Sequence, residues 1–111
     1  MHSVEGVIEA YLFKRMRQVG GGADKFVCPN HIGKPDRLCY FKHGLVVFVE
    51  LKATGKALRS SQVREHTRMR AKGLLVELID SKLGVDKFIT KYMELDNAIK
   101  LCDIIARHKE S

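Results

Sequence analysis

The run Val46-Val47-Phe48-Val49-Glu50-Leu51-Lys52 constrains this chain more than any other stretch. Its first four residues are β-branched or aromatic and fill both alternating faces of a strand. Such a strand is expected to be central and covered on both sides. It then ends on a carboxylate and an ammonium. Glu50 and Lys52 are two apart, so both share a face with Val46 and Phe48. Ionised groups at the end of an apolar stripe are partly desolvated, which costs free energy unless they pair or bind an ion. Asp36, directly after Pro35, is expected at the mouth of the neighbouring strand, within reach of Glu50. Two convergent carboxylates suit a hard, oxygen-preferring cation such as Mg2+ or Mn2+.

The rest of the chain divides into short elements around this strand. Residues 4–18 read as a helix, with Val4, Val7, Ile8, Tyr11 and Leu12 at helical spacing and Ser3 as its cap. Gly20-Gly21-Gly22 ends it. Residues 25–28 are a short β candidate. Residues 38–43 and 45–52 form a hairpin about His43-Gly44. A helix capped by Ser60 or Ser61 runs to about Lys72, and residues 74–79 make a buried strand. Residues 85–94 and 97–108 read as two helices, the second capped by Asp96. The order is α-β-β-β-α-β-α-α. The helix between the hairpin and the last strand makes that pair a parallel crossover. The expected fold class is therefore α/β, a mixed central sheet flanked by helices. With 111 residues and no linker long enough to divide them, one domain spanning 1–111 is expected, able to bury a core without disulfides or structural metals.

Charge narrows the function. Of the net +7, all but one unit lies between Leu51 and Gly73, where Lys52, Lys56, Arg59, Arg64, Arg68, Arg70 and Lys72 face Glu65 alone. A basic block inside a folded domain points to a polyanionic partner, nucleic acid first. Arg59, Arg64 and Arg68 are the candidate backbone contacts, with Lys25 and Lys34 flanking Asp36 as further candidates for phosphate. No helix-turn-helix, zinc finger or aromatic platform is evident, so recognition by DNA shape is expected. No apolar run spans a bilayer, and the start has no signal peptide. A cytoplasmic protein with no membrane partner is expected, in a bacterial or phage-infected cell. Cys28, Cys39 and Cys102 are odd in number and widely spaced, which fits reduced thiols. Cys28, His31, Cys39 and His43 have near-zinc-finger spacing, but both cysteines fall in β runs where they pack as small apolar residues. Zinc is not expected.

The pattern Pro35-Asp36, thirteen residues, then Glu50-Leu51-Lys52 resembles the PD-(D/E)XK nuclease superfamily. The stretch GKPDRLCYFKHGLVVFVELKATGKALRSSQ is similar to the VRR-NUC (virus-type replication-repair nuclease) family almost throughout. The upstream VIEAYLFKRMRQVGGGADKFVCPNHIG resembles that family's first helix and strand, and HTRMRAKGLLVELIDS its later helix and strand. The resemblance covers about residues 4–90 and leaves 91–111 as a C-terminal helical extension. It implies a restriction-endonuclease-like fold. It also implies that Asp36, Glu50 and the Leu51 carbonyl hold the metal, that Lys52 is the catalytic lysine, and that Gln62 is the family's glutamine placed against the site. Glu9 corresponds to the first-helix acidic residue. Glu5, one turn earlier, shares its face and remains an alternative.

The family includes stand-alone phage proteins that act as dimers on four-way junctions, and a domain of a larger eukaryotic crosslink-repair nuclease. The resemblance therefore implies a Mg2+-dependent structure-selective DNA endonuclease, a Holliday-junction resolvase and homodimer. Ile99, Cys102, Ile105 and Ala106 form an apolar stripe able to seal such an interface, with Phe13 on the first helix as a second candidate surface. The alternatives are a catalytically silent nucleic-acid-binding module of the same fold, and a nuclease acting on flaps or plain duplex.

Overall fold

A computed structural model describes residues 3–110. The first two residues of the stretch read for targeting lie outside them. Among the described residues, α1 (Val4–Gln18) precedes β1 (Gly22–Lys25), β2 (Arg37–Tyr40) and β3 (Val46–Leu51). Then come α2 (Ser60–Ala71), β4 (Val76–Ile79) and α3 (Lys82–Glu110). The sheet order is β1-β2-β3-β4. The first three strands are antiparallel and β3 pairs β4 in parallel. The mixed sheet and its crossover through α2 are as expected, and β3 is central.

The two faces of β3 differ. Val47, Val49 and Leu51 are fully buried in a core with Ile8, Leu12 and Met16 of α1 and Val85, Phe88, Ile89 and Tyr92 of α3. On the other face, Phe48 is half-buried against Phe26, ring centroids 5.3 Å apart, and Val46 is 43% exposed. Cover on the second face thus begins only at Phe48. The apolar run could not show this, because it reports what a strand can tolerate and not what packs on it.

Three boundaries differ from the sequence reading. The strand expected at 25–28 lies earlier, at Gly22–Lys25, with Gly22 opposite Tyr40. A Cβ on Gly22 would stand 2.4 Å from Tyr40 Oη, so the tyrosine ring covers the bare backbone and the glycine is a strand residue rather than a breaker. Helix α2 is entered from Arg59, not from Ser60 or Ser61. Its first turn is closed by Gln62 Oε1, which accepts from Arg59 N–H at 2.9 Å. The two expected C-terminal helices are one, α3. It starts at Ser81, whose hydroxyl accepts from Gly84 N–H at 2.9 Å, and no glycine or proline interrupts it after Gly84.

Asp96 does not cap a helix. It is 3% exposed, and its carboxylate accepts from His43 N–H at 2.9 Å and Leu45 N–H at 3.1 Å. A short acidic side chain survives mid-helix because its acceptors are spent on another element. It locks the β2–β3 turn to α3. Phe13 packs on the core, so it is not a spare surface. From Asn97 to Lys109, by contrast, every residue of α3 is exposed. Cys39 is also a core residue, and burial pushes its thiol up to about 12, as fits a thiol that packs as a small apolar side chain.

Asp96→Ala leaves two hairpin N–H groups without acceptors and is expected to lower unfolding stability by roughly 2 kcal/mol or more. Glu94→Ala on the exposed side of the same helix should stay within about 0.5 kcal/mol. Urea denaturation of both variants checks this, and equal effects would mean that Asp96 is not a structural lock.

Candidate active site

At the end of β3 the ladder changes partner. Strand β2 begins at Arg37, paired with Val49, so no β2 residue remains opposite Leu51. Instead Leu51 N–H donates to Asp36 Oδ1 at 3.3 Å. On the other edge Lys52 N–H donates to the Ile79 carbonyl of β4 at 3.1 Å. The N–H and C=O of one strand residue point the same way, so the Leu51 carbonyl opens towards Asp36. The sequence places Pro35-Asp36 here because the Phe26–Asp36 loop closes on itself. Phe26 N–H donates to the Asp36 carbonyl at 2.9 Å, and Pro35 is fully buried. Gly33 packs the loop onto α2 at φ +88, where a Cβ would stand 2.3 Å from the Ser61 carbonyl oxygen.

Glu50 projects from the face opposite the core and is nonetheless 4% exposed. Helix α2 covers it with Gln62, His66 and Met69, all buried. Burial, with the Asp36 charge second, pushes the Glu50 carboxyl up to about 7. Burial also raises Asp36, offset by the Leu51 N–H. The Lys52 charge acts on both carboxyls in the opposite sense. The structure thus brings Asp36, Glu50, the Leu51 backbone and Lys52 together at the carboxyl end of β3, where open α/β sheets bind ligands.

Helix α1 reaches the same point through Arg37. Arg37 pairs with Glu9 and, at 3.3 Å, with Asp36 Oδ2. Glu9 is therefore held by an arginine that also holds Asp36. Glu5 is near enough that its charge raises both Asp36 and Glu50. Both first-helix acids border the site. The sequence reading singled out neither Arg37 nor His66. Arg37 follows Asp36 directly, but its partner Glu9 is remote in sequence. His66 lies on the same helical face as Gln62 at i,i+4, and that spacing was the one available signal. His66 Nε2 lies 4.0 Å from Glu50 Oε1, and burial lowers its pKa.

The phosphate-contact candidates divide into two groups. Glu65 takes up Lys34 at 2.7 Å and Arg68 at 2.6 Å. These two hydrogen-bonded cations hold its carboxyl down at about 2. Arg70 donates to the Val76 carbonyl and ties α2 to β4. Lys25, Arg59 and Arg64 are exposed and pair with no carboxylate among the described residues.

The chain shares 44% identity over 78 residues with a protein named "Putative nuclease p44" from Acyrthosiphon pisum secondary endosymbiont phage 1, covering 70% of this chain and 84% of that one. A solved structure described as "VRR_NUC domain" superimposes with a TM-score of 0.76 at 33% identity, over 82% of this chain and 99% of that one. The chain belongs to the VRR-NUC family. Its sheet and flanking helices form the restriction-endonuclease-like fold expected of that family. No family model matches the chain.

The residues of this VRR-NUC site suit a divalent ion. Among the described residues no three His, Cys, Asp or Glu side chains form a ready-made cage. The donors present are two carboxylates and a backbone carbonyl, all oxygen, which is the set for an ion that keeps several waters. Glu50 Oε1 is buried with no hydrogen-bond partner, and a carboxylate so placed is costly to ionise without a cation.

That cost has a pH signature. The Glu50 carboxyl is raised from its ordinary 4.5 to about 7, so its contribution favours folding below pH 4.5 and is lost as pH rises through about 7. In metal-free buffer Glu50→Gln should be more stable than the parent at pH 8, by up to ~3 kcal/mol, and the gap should close towards pH 4.5. Adding Mg2+ should stabilise the parent and not the variant. Thermal melts across pH check this, and a gap independent of pH would show that Glu50 is not destabilised by ionisation.

Proposed function

We propose that this chain is a metal-dependent, structure-selective DNA endonuclease that acts on four-way junctions as a homodimer. The observation that carries the reading is the convergence of Asp36, Glu50 and Lys52 at the end of β3 in a VRR-NUC chain whose phage relative is named a nuclease. An intact set of this kind argues against a silent binding module.

Asp36, Glu50 and the Leu51 carbonyl are the groups that hold the ion, Mg2+ with Mn2+ as substitute. Bound there, a divalent ion supplies Lewis acidity towards the scissile phosphate and acidifies a water. Lys52, on the same face as Glu50, offsets the negative charge that develops on the phosphate during attack. Gln62 spends its Oε1 on Arg59 N–H, which leaves its amide N–H groups to orient water or a phosphate oxygen. Arg37 and Glu9 keep Asp36 in place. Lys25, Arg59 and Arg64 supply backbone contacts, which confer affinity but not sequence preference. Lys34 and Arg68 contribute less than their count suggests, since both are paired with Glu65.

The dimer follows from the task. One site cuts one strand, and productive resolution of a junction takes two paired cuts, so a two-fold dimer matches a substrate of roughly two-fold symmetry. The exposed half of α3 supports the same reading. It carries Ile99, Leu101, Ile104 and Ile105, each at least 40% exposed, and exposed apolar surface gathered on one element marks an interaction site.

Labelled four-way junctions, flaps and linear duplexes, with and without Mg2+, test the activity. The parent should cut junctions in paired nicks only with the ion. Glu50→Gln should bind junctions in EDTA and cut none. A parent that binds DNA yet cuts nothing would leave the silent module, and cleavage confined to flaps or duplex would remove the junction specificity. Replacing Arg59 and Arg64 together by alanine should weaken binding and flatten its salt dependence by about one unit of slope per lost phosphate contact, whereas Arg70→Ala should act on stability. Sedimentation should give a dimer that Ile105→Glu converts to a monomer. A parent that is monomeric both free and on the junction would exclude paired cutting.

A further inference from the structure

We infer that His66 is a positioning residue that holds the Glu50 carboxylate by a hydrogen bond from Nε2 to Oε1. The inference rests on the metal-dependent reading above and adds to it a group outside the ion's own ligands. His66 is 1% exposed and Glu50 4%. Glu50 Oε1 and both ring nitrogens of His66 are buried without a hydrogen bond of normal geometry, and the Gly33 backbone of the Asp36 loop is a further hydrogen-bonding neighbour of the ring. Interior polar groups are nearly always satisfied, and here Nε2 of His66 and Oε1 of Glu50 stand 4.0 Å apart. The gap exceeds a hydrogen bond by about 1 Å, and the proposed bond requires a rotation of the carboxylate to close it.

The rotation has a functional direction. A carboxylate fixed through one oxygen presents the other in a single orientation. Donors of this kind behind a ligand carboxylate set its geometry and the affinity of the site. His66 is well placed for it because α2 does not float. Gly33 of the loop that carries Asp36 is pressed onto the first turn of α2, and Arg70 anchors the last turn to β4. His66 sits between these two anchors, so one ring links the placement of Glu50 to that of the Asp36 loop.

The test uses the whole chain without DNA. His66→Phe keeps the ring and removes the donor, and His66→Gln restores a donor. Mn2+ binding, followed by electron paramagnetic resonance, should weaken by roughly tenfold or more in His66→Phe and stay within about threefold of the parent in His66→Gln. DNA binding in EDTA should be equal in all three. An ion affinity within twofold of the parent in His66→Phe overturns the proposal, as does a His66→Gln variant as weak as His66→Phe. A parent that binds no divalent ion removes the metal reading and this inference together. Normal ion binding by both the parent and His66→Phe removes His66 alone. If His66→Phe does not fold, nitrogen NMR of the parent's His66 decides. Mg2+ should bring Nε2 into a donating hydrogen bond that Glu50→Gln abolishes, and an unchanged Nε2 signal overturns the proposal.

Discussion

The burial of Glu50 is the constraint around which the rest of the molecule is arranged. A carboxylate pulled out of water with one oxygen unpartnered opposes folding wherever it is ionised. The chain tolerates it because the opposite face of the same strand is dry and well filled. Val47, Val49 and Leu51 pack against α1 and α3 there, and each such side chain contributes about 1.5–3 kcal/mol on full burial. The core thus offsets a penalty located one residue away on the other face. Three local features of the fold meet at this carboxylate. The β2 ladder stops just short of it, Asp36 replaces the missing strand partner for Leu51, and α2 lies over it instead of lying in solvent.

The charges follow a similar division between structure and recognition. The sequence between Leu51 and Gly73 reads as one basic block, but the fold spends part of it. Arg70 is a tie between helix and sheet, and Glu65 binds Lys34 and Arg68 together. That last cluster joins the Asp36 loop to α2, so its charge serves the geometry of the site rather than its field. Of that block Lys52, Lys56, Arg59, Arg64 and Lys72 pair with no carboxylate among the described residues, and Lys25 at the end of β1 adds one more. Lys52 among them acts directly on both carboxyls.

How much of this was legible depends on whether the signal is local. Helix α1 with its Ser3 cap, the β2–β3 hairpin, the central β3 and the parallel crossover through α2 are written in short-range patterns, and the structure has them. Asp36, Glu50 and Lys52 could be grouped because two lie on one strand and the third starts its neighbour. The misses are non-local. Gly22 enters a strand because Tyr40, far along the chain, covers it. Asp96 resembles a cap until its acceptors are seen on the hairpin turn. His66 and Arg37 carry no motif of their own, and only their positions over Glu50 and between Glu9 and Asp36 set them apart.

Helix α3 shows how a single long element can serve two environments. Up to Tyr92 its apolar face belongs to the core. Beyond Asp96 it touches nothing among the described residues that buries it. Asp96 sits at the boundary and grips the turn whose second arm is β3. The exposed half of α3 is therefore indexed, through one carboxylate and a six-residue strand, to the position of Glu50. A partner seated on that half would stand at a fixed distance and angle from the carboxylates, with no hinge between. In a two-fold dimer the spacing of the two sites would then be set by the helix face alone. For the paired cutting proposed above, rigidity along this path would matter more than the strength of the interface.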